Sequence, residues 1–89
     1  MSFRLGDIFA TPGALELLRA VRIRPETLLQ RHVNGDWGNL SPEDVQENEL
    51  SVREGFRILS SYTVRDDEKI WIITEADRSA TTFLLPSEY

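Results

Sequence analysis

Cysteine is absent from this 89-residue chain, and histidine and methionine each occur once. The missing thiols exclude a disulfide scaffold, a thiolate zinc site and a cysteine nucleophile. One histidine, His32, excludes a multi-histidine metal centre within one chain, and no metal or cofactor is expected. No run approaches the roughly 18 apolar residues a membrane helix requires. The first residues, Met1–Asp7, lack the apolar core of a signal peptide, so a cytoplasmic location is expected. A Gly-rich phosphate loop, a nucleophile elbow and a zinc motif are also missing, and no catalytic residue set is assigned.

What is present is an ordinary soluble composition, 40% hydrophobic and 28% charged, of a size that holds one core, so residues 1–89 are read as a single domain. The net charge is −5 and unevenly spread: residues 1–39 carry five bases and four acids, residues 40–89 five bases and eleven acids. An acidic half disfavours direct nucleic-acid binding, because nonspecific affinity comes from neutralising phosphates. It suits a basic protein surface, or is simply a solvated face.

Along the chain, helix signals come first. Phe3–Leu5 and Ile8–Ala10, broken by Gly6-Asp7, read as a short extended segment. Thr11-Pro12 starts a helix, with Thr as cap and Pro in the first turn. Pro25 opens a second helix that ends at Asn34-Gly35. Ser41-Pro42-Glu43-Asp44 opens a third, running to about Gly55. On it Val45, Val52 and Phe56 form an apolar stripe that Asn48 and Glu49 interrupt. If Glu49 points inward, it needs Arg31, Arg57 or Arg78 as a partner.

From Phe56 the pattern alternates, with Ile58, Ser60 and Tyr62 facing one way and Leu59, Ser61 and Thr63 the other. Asp66-Asp67 marks a hairpin turn. Lys69–Glu75 is apolar on both faces, with Trp71 and Ile73 on one and Ile70 and Ile72 on the other. Ala76–Ser79 turns the chain into a last strand, Ala80–Leu85. The expected class is α+β: three short helices, then a three-stranded antiparallel meander. With all three helices on one side of the sheet, the other side is left partly apolar, and a homodimer through the sheet follows as an expectation.

Two segments collect chemistry. In Arg31–Gly38, His32 has the type of a general base, Asp36 would orient it, and Trp37 would stack on a ligand ring. The plainer reading is a helix cap, a turn and a core plug. His32 near a helix C-terminus and Asp36 is expected to hold a proton, which would make it a poor base. In Thr74–Thr82, Glu75, Asp77 and Arg78 would form an anion cradle, or else a stitched turn in which Arg78 pairs with Glu75, Glu49 or Asp36.

Ala10-Thr11-Pro12-Gly13-Ala14-Leu15, Gly35-Asp36-Trp37-Gly38 and Ile73–Thr82 resemble a family of short bacterial proteins, the plasmid-related proteins of plasmids and integrative mobile elements. Some carry a restriction-enzyme-subunit label, which this length cannot fulfil. The resemblance implies a bacterial cytoplasmic protein of mobile DNA and brings no mechanism. The function expected is therefore a small acidic, non-enzymatic protein that binds and regulates another protein, with His32, Asp36, Trp37, Glu75, Asp77 and Arg78 as candidate binding residues. The alternatives are a small ligand-binding domain or enzyme built on the same residues, and a nucleic-acid module on the Arg-bearing first two helices.

Overall fold

The computed structural model describes residues 2–89. A strand β1 (Asp7–Ala10) precedes three helices, α1 (Pro12–Val21), α2 (Pro25–Val33) and α3 (Pro42–Glu54). Strands β2 (Ile58–Arg65), β3 (Glu68–Thr74) and β4 (Ala80–Leu84) follow, then a single 3-10 turn at Pro86–Glu88. The class is α+β as expected. The three antiparallel strands are present, but the sheet has four strands, ordered β1-β4-β3-β2, because the N-terminal segment joins β4 in parallel. A meander alone is thus a correction: the free edge of β4 offers backbone donors and acceptors, and β1 satisfies them through bonds such as Asp7 N–H to the Ser79 carbonyl and Thr11 N–H to the Phe83 carbonyl.

The helix starts follow their local chemistry. Thr11 Oγ1 accepts from Ala14 N–H at 3.1 Å, and Ser41 Oγ accepts from Asp44 N–H at 3.2 Å, each with proline next in the chain. α3 stops at Gly55, whose φ of 79° only glycine adopts without cost. That stop turns Phe56 out to solvent, so the expected stripe of Val45, Val52 and Phe56 does not reach the core as a unit.

The main core lies on one face of the sheet. Ala14, Leu17 and Leu18 of α1 and Leu28 of α2 pack on Tyr62, Ile70, Ile72 and Phe83. Burying each leucine, isoleucine or phenylalanine among them contributes about 1.5–3 kcal/mol. Ile70 and Ile72 share this face and Trp71 and Ile73 take the other, as alternation requires. The helices, however, are not all on one side. α3 runs along the outer edge of β2, where Asn48 and Ser51 are its buried residues and Glu49 is exposed without need of a partner. On the second face Ile73 is buried, and Trp71 is half-buried, its ring meeting Tyr89 edge-on at 5.7 Å. The second face is therefore only partly open, which weakens face-to-face pairing of two sheets as the route to a dimer.

Asn48 explains its own place in an otherwise apolar stripe. Its Nδ2 donates to the Leu59 carbonyl, and its Oδ1 accepts from Leu59 N–H at 3.1 Å. Further along the same edge, Ser61 N–H donates to the Trp37 carbonyl, Asn39 N–H to the Ser61 carbonyl, and Thr63 N–H to Asn39 Oδ1. The β2 edge is thereby closed to other strands. Asn48→Ala is expected to lower stability by about 1–3 kcal/mol in urea denaturation, because two Leu59 backbone groups lose their partner. Asn48→Asp should fail to restore it, since a carboxylate cannot donate to the Leu59 carbonyl.

Candidate functional site

The Gly35-Asp36-Trp37-Gly38 loop is shaped by its two glycines, at φ of 82° and 76°. At Gly38 any Cβ would run into the Ser61 carbonyl, so the close approach of the loop to β2 requires glycine. Asp36 faces Arg31, taking a bidentate pair from Nε at 2.7 Å and Nη2 at 3.2 Å, and also accepts from Gly38 N–H. The Arg31 guanidinium holds the Asp36 carboxyl below its usual range. Asp36 does not orient His32. Its carbonyl instead accepts from the Tyr62 hydroxyl at 2.7 Å, and Arg31 lies over the Tyr62 ring at 4.6 Å. Trp37 is buried, a core plug and not an exposed stacking surface.

His32 has no exposed surface. Its Nδ1 lies 2.5 Å from Ser60 Oγ and its Nε2 2.9 Å from Thr74 Oγ1. Thr74 Oγ1 is 2.8 Å from Thr81 Oγ1, which reaches the Leu5 carbonyl at 2.7 Å. A carbonyl only accepts, so the direction of the whole chain follows. Thr81 donates to Leu5, Thr74 to Thr81, and His32 Nε2–H to Thr74. The neutral ring then accepts at Nδ1 from the Ser60 hydroxyl. Burial pushes the His32 pKa down to about 4, the reverse of the protonated state expected from the helix terminus and Asp36. A helix dipole and a nearby acid matter little when the ring is out of water and the acid is paired elsewhere.

Around this chain sits an aromatic layer that the sequence did not single out. Phe3 meets His32 edge-on at 5.2 Å and stacks on Trp37 at 6.1 Å, while the Arg78 guanidinium lies 5.8 Å from the same ring. The two candidate segments therefore do meet, with Phe3 between them. They meet as packing: Thr74 supplies a partner for His32, and Thr81 supplies one for Thr74.

Arg78 is occupied as well. Nη1 donates to the carbonyls of Phe56 at 2.7 Å, Glu75 at 3.1 Å and Ala76 at 3.1 Å, and Nη2 to the Ser51 carbonyl at 2.8 Å. It ties the β3–β4 turn to the C-terminal end of α3, adding to the bonds that the Ser51 carbonyl already accepts from Gly55 and Phe56 N–H. The expected carboxylate partner is a correction, because Glu75 pairs with Arg57 at 3.5 Å, Glu49 points to solvent and Asp36 holds Arg31. Asp77 Oδ1 accepts from Ser79 N–H at 3.0 Å, which fixes the turn, and the Ser79 hydroxyl, then its N–H, holds the Asp77 carboxyl pKa below its usual value. A shallow depression of about 440 Å³ at this tip is lined by Glu75, Ala76, Asp77 and Ser79, all at the surface and without a guanidinium. No group of three or more metal-ligating side chains exists among the described residues. No helix among them is long and apolar enough to cross a membrane. Comparison with protein-family models, with curated proteins and with solved structures finds no match to this chain.

Proposed function

We propose that the chain is a small acidic binding protein that acts by docking on another protein, without turnover of its own. The observation that supports this most is the fate of His32. The sole histidine is fully buried between Ser60 and Thr74, so no substrate reaches either ring nitrogen. Arg78, the other group of catalytic type, already serves four backbone carbonyls. Chemistry at the surface is acidic instead. Glu43, Glu47, Leu50 and Glu54 follow helical spacing along α3 and are all exposed, which suits a basic partner surface. From the motif resemblance we further read the protein as cytoplasmic and carried on mobile DNA, acting on a host defence or DNA-processing protein.

The test is affinity capture from bacterial lysate at low and high salt, with the wild type, a Glu43→Lys/Glu47→Lys variant and His32→Gln. A specific protein held by the wild type, released by salt and lost with the charge-reversed helix is the expected result. Folded His32→Gln should retain it. An enzymatic activity that disappears in a folded His32→Gln protein would replace docking with catalysis. Direct, salt-sensitive DNA binding by the isolated protein would replace it with a nucleic-acid role.

A further inference from the structure

The two edges of the sheet are treated differently. β2 is sealed by Asn48, Trp37 and Asn39, whereas among the described residues β1 has no such cover. In the parallel register with β4, Asp7, Phe9 and Thr11 turn their backbone groups inward, which leaves the N–H and C=O of Ile8 and Ala10 facing outward. Among the described residues no hydrogen bond reaches those four groups. The side chains at this edge are apolar, Ile8 being 47% and Phe9 54% exposed on opposite faces. An edge of this kind is a template for another strand.

We infer that the β1 edge pairs with β1 of a second copy, antiparallel across a two-fold axis at Phe9. The backbone admits this register. The outward-facing residues are Ile8 and Ala10, so Ile8 of one copy exchanges both hydrogen bonds with Ala10 of the other, and reciprocally. Phe9 then opposes Phe9 as a non-hydrogen-bonded pair, where side chains lie closest. Charge selects the same register. Centred on Phe9, the two Asp7 carboxylates are four positions apart along the ladder, about 14 Å, beyond the screening length. Centred on Ile8, they would lie about 7 Å apart and each would oppose a Phe9 ring. The result is one continuous eight-stranded sheet. A pair of four-residue strands buries less than the roughly 1,200 Å² of a standard interface, so the dimer is weak and forms only at high protein concentration.

Sedimentation equilibrium from about 10 μM to about 1 mM tests this, together with amide exchange at both ends of that range. The wild type is expected to move from one copy toward two, with the Ile8 and Ala10 amides gaining protection as it does. Phe9→Lys sets like charges face to face and should weaken association by at least about tenfold. If that variant does not fold, Phe9→Thr keeps strand preference and removes the aromatic pair, with weakening in the same direction. Phe56→Lys, an equally exposed phenylalanine away from β1, should leave association unchanged. A monomer throughout, with Ile8 and Ala10 amides exchanging freely, would overturn the pairing. So would association insensitive to Phe9 but lost with Phe56→Lys, or a foreign chain held at β1 by a protein that stays monomeric. Self-pairing needs no foreign partner, so a monomeric result leaves the docking proposal standing.

Discussion

Arg78→Ala is expected to lower the stability of the fold by about 2–4 kcal/mol, the sum of several charge-assisted bonds lost together. One guanidinium serves carbonyls from the α3 terminus, from Phe56 and from the β3–β4 turn. The loss stays at the modest end of what four bonds suggest, because Arg78 is only half-buried and water can reach some of the freed carbonyls. Arg78 also has a φ of 60°, a conformation that alanine tolerates no better, so backbone strain adds nothing to the difference. Arg78→Lys should recover a minor part, since an ammonium cannot span acceptors on two elements with a planar fork. Chemical denaturation gives the comparison, and an unchanged midpoint for Arg78→Ala would show that the guanidinium is free for a ligand.

The second large effect is a dependence of stability on pH set by His32. The unfolded ring takes up a proton near its usual 6.5, and the folded ring only near about 4. Above pH 6.5 both states are neutral and the full contribution is present. As the pH falls below 6.5 the unfolded state binds the proton first, and stability drops until the folded ring titrates in turn. From pH 6.5 to 5 the loss is about 2 kcal/mol, reaching about 3 kcal/mol near pH 4. The upper part of this window precedes the titration of most carboxylates, so it isolates the ring. Denaturation curves for the wild type and His32→Gln should converge as the pH falls from 7 to 5. A constant gap between them would mean that the ring titrates alike in both states.

How far the sequence disclosed this arrangement depends on the range of each interaction. The caps at Thr11 and Ser41, the stop at Gly55 and the Asp66-Asp67 turn are fixed by residues within a few positions, and all were readable. The alternation of Ile70, Trp71, Ile72 and Ile73 was readable for the same reason. The parallel docking of β1 depends on a strand more than 70 residues away, whose pairing no local pattern announces. The partners of His32 are 28 and 42 residues distant, and serine and threonine in strands carry no mark of a buried ring above them. Carbonyl acceptors are invisible to residue typing, which is why an acid was expected at Arg78. Asn48 was the better clue. A polar residue inside an apolar stripe signalled that something specific happens there, and it proved to be the closure of the β2 edge. Phe3 gave no signal beyond being apolar near the N-terminus.

The central claim is that the residues most suited to chemistry hold the fold, with His32 neutral inside a directed hydrogen-bond chain. With one histidine in the sequence, a long-range ¹H–¹⁵N spectrum shows a single imidazole and needs no assignment by mutation. Followed from pH 8 downward in the folded protein, it should show a proton on Nε2, an unprotonated Nδ1 accepting from Ser60, and no titration until about pH 4. A ring that exchanges between tautomers and titrates near its usual 6.5 would contradict the account and return His32 to the candidates for catalysis.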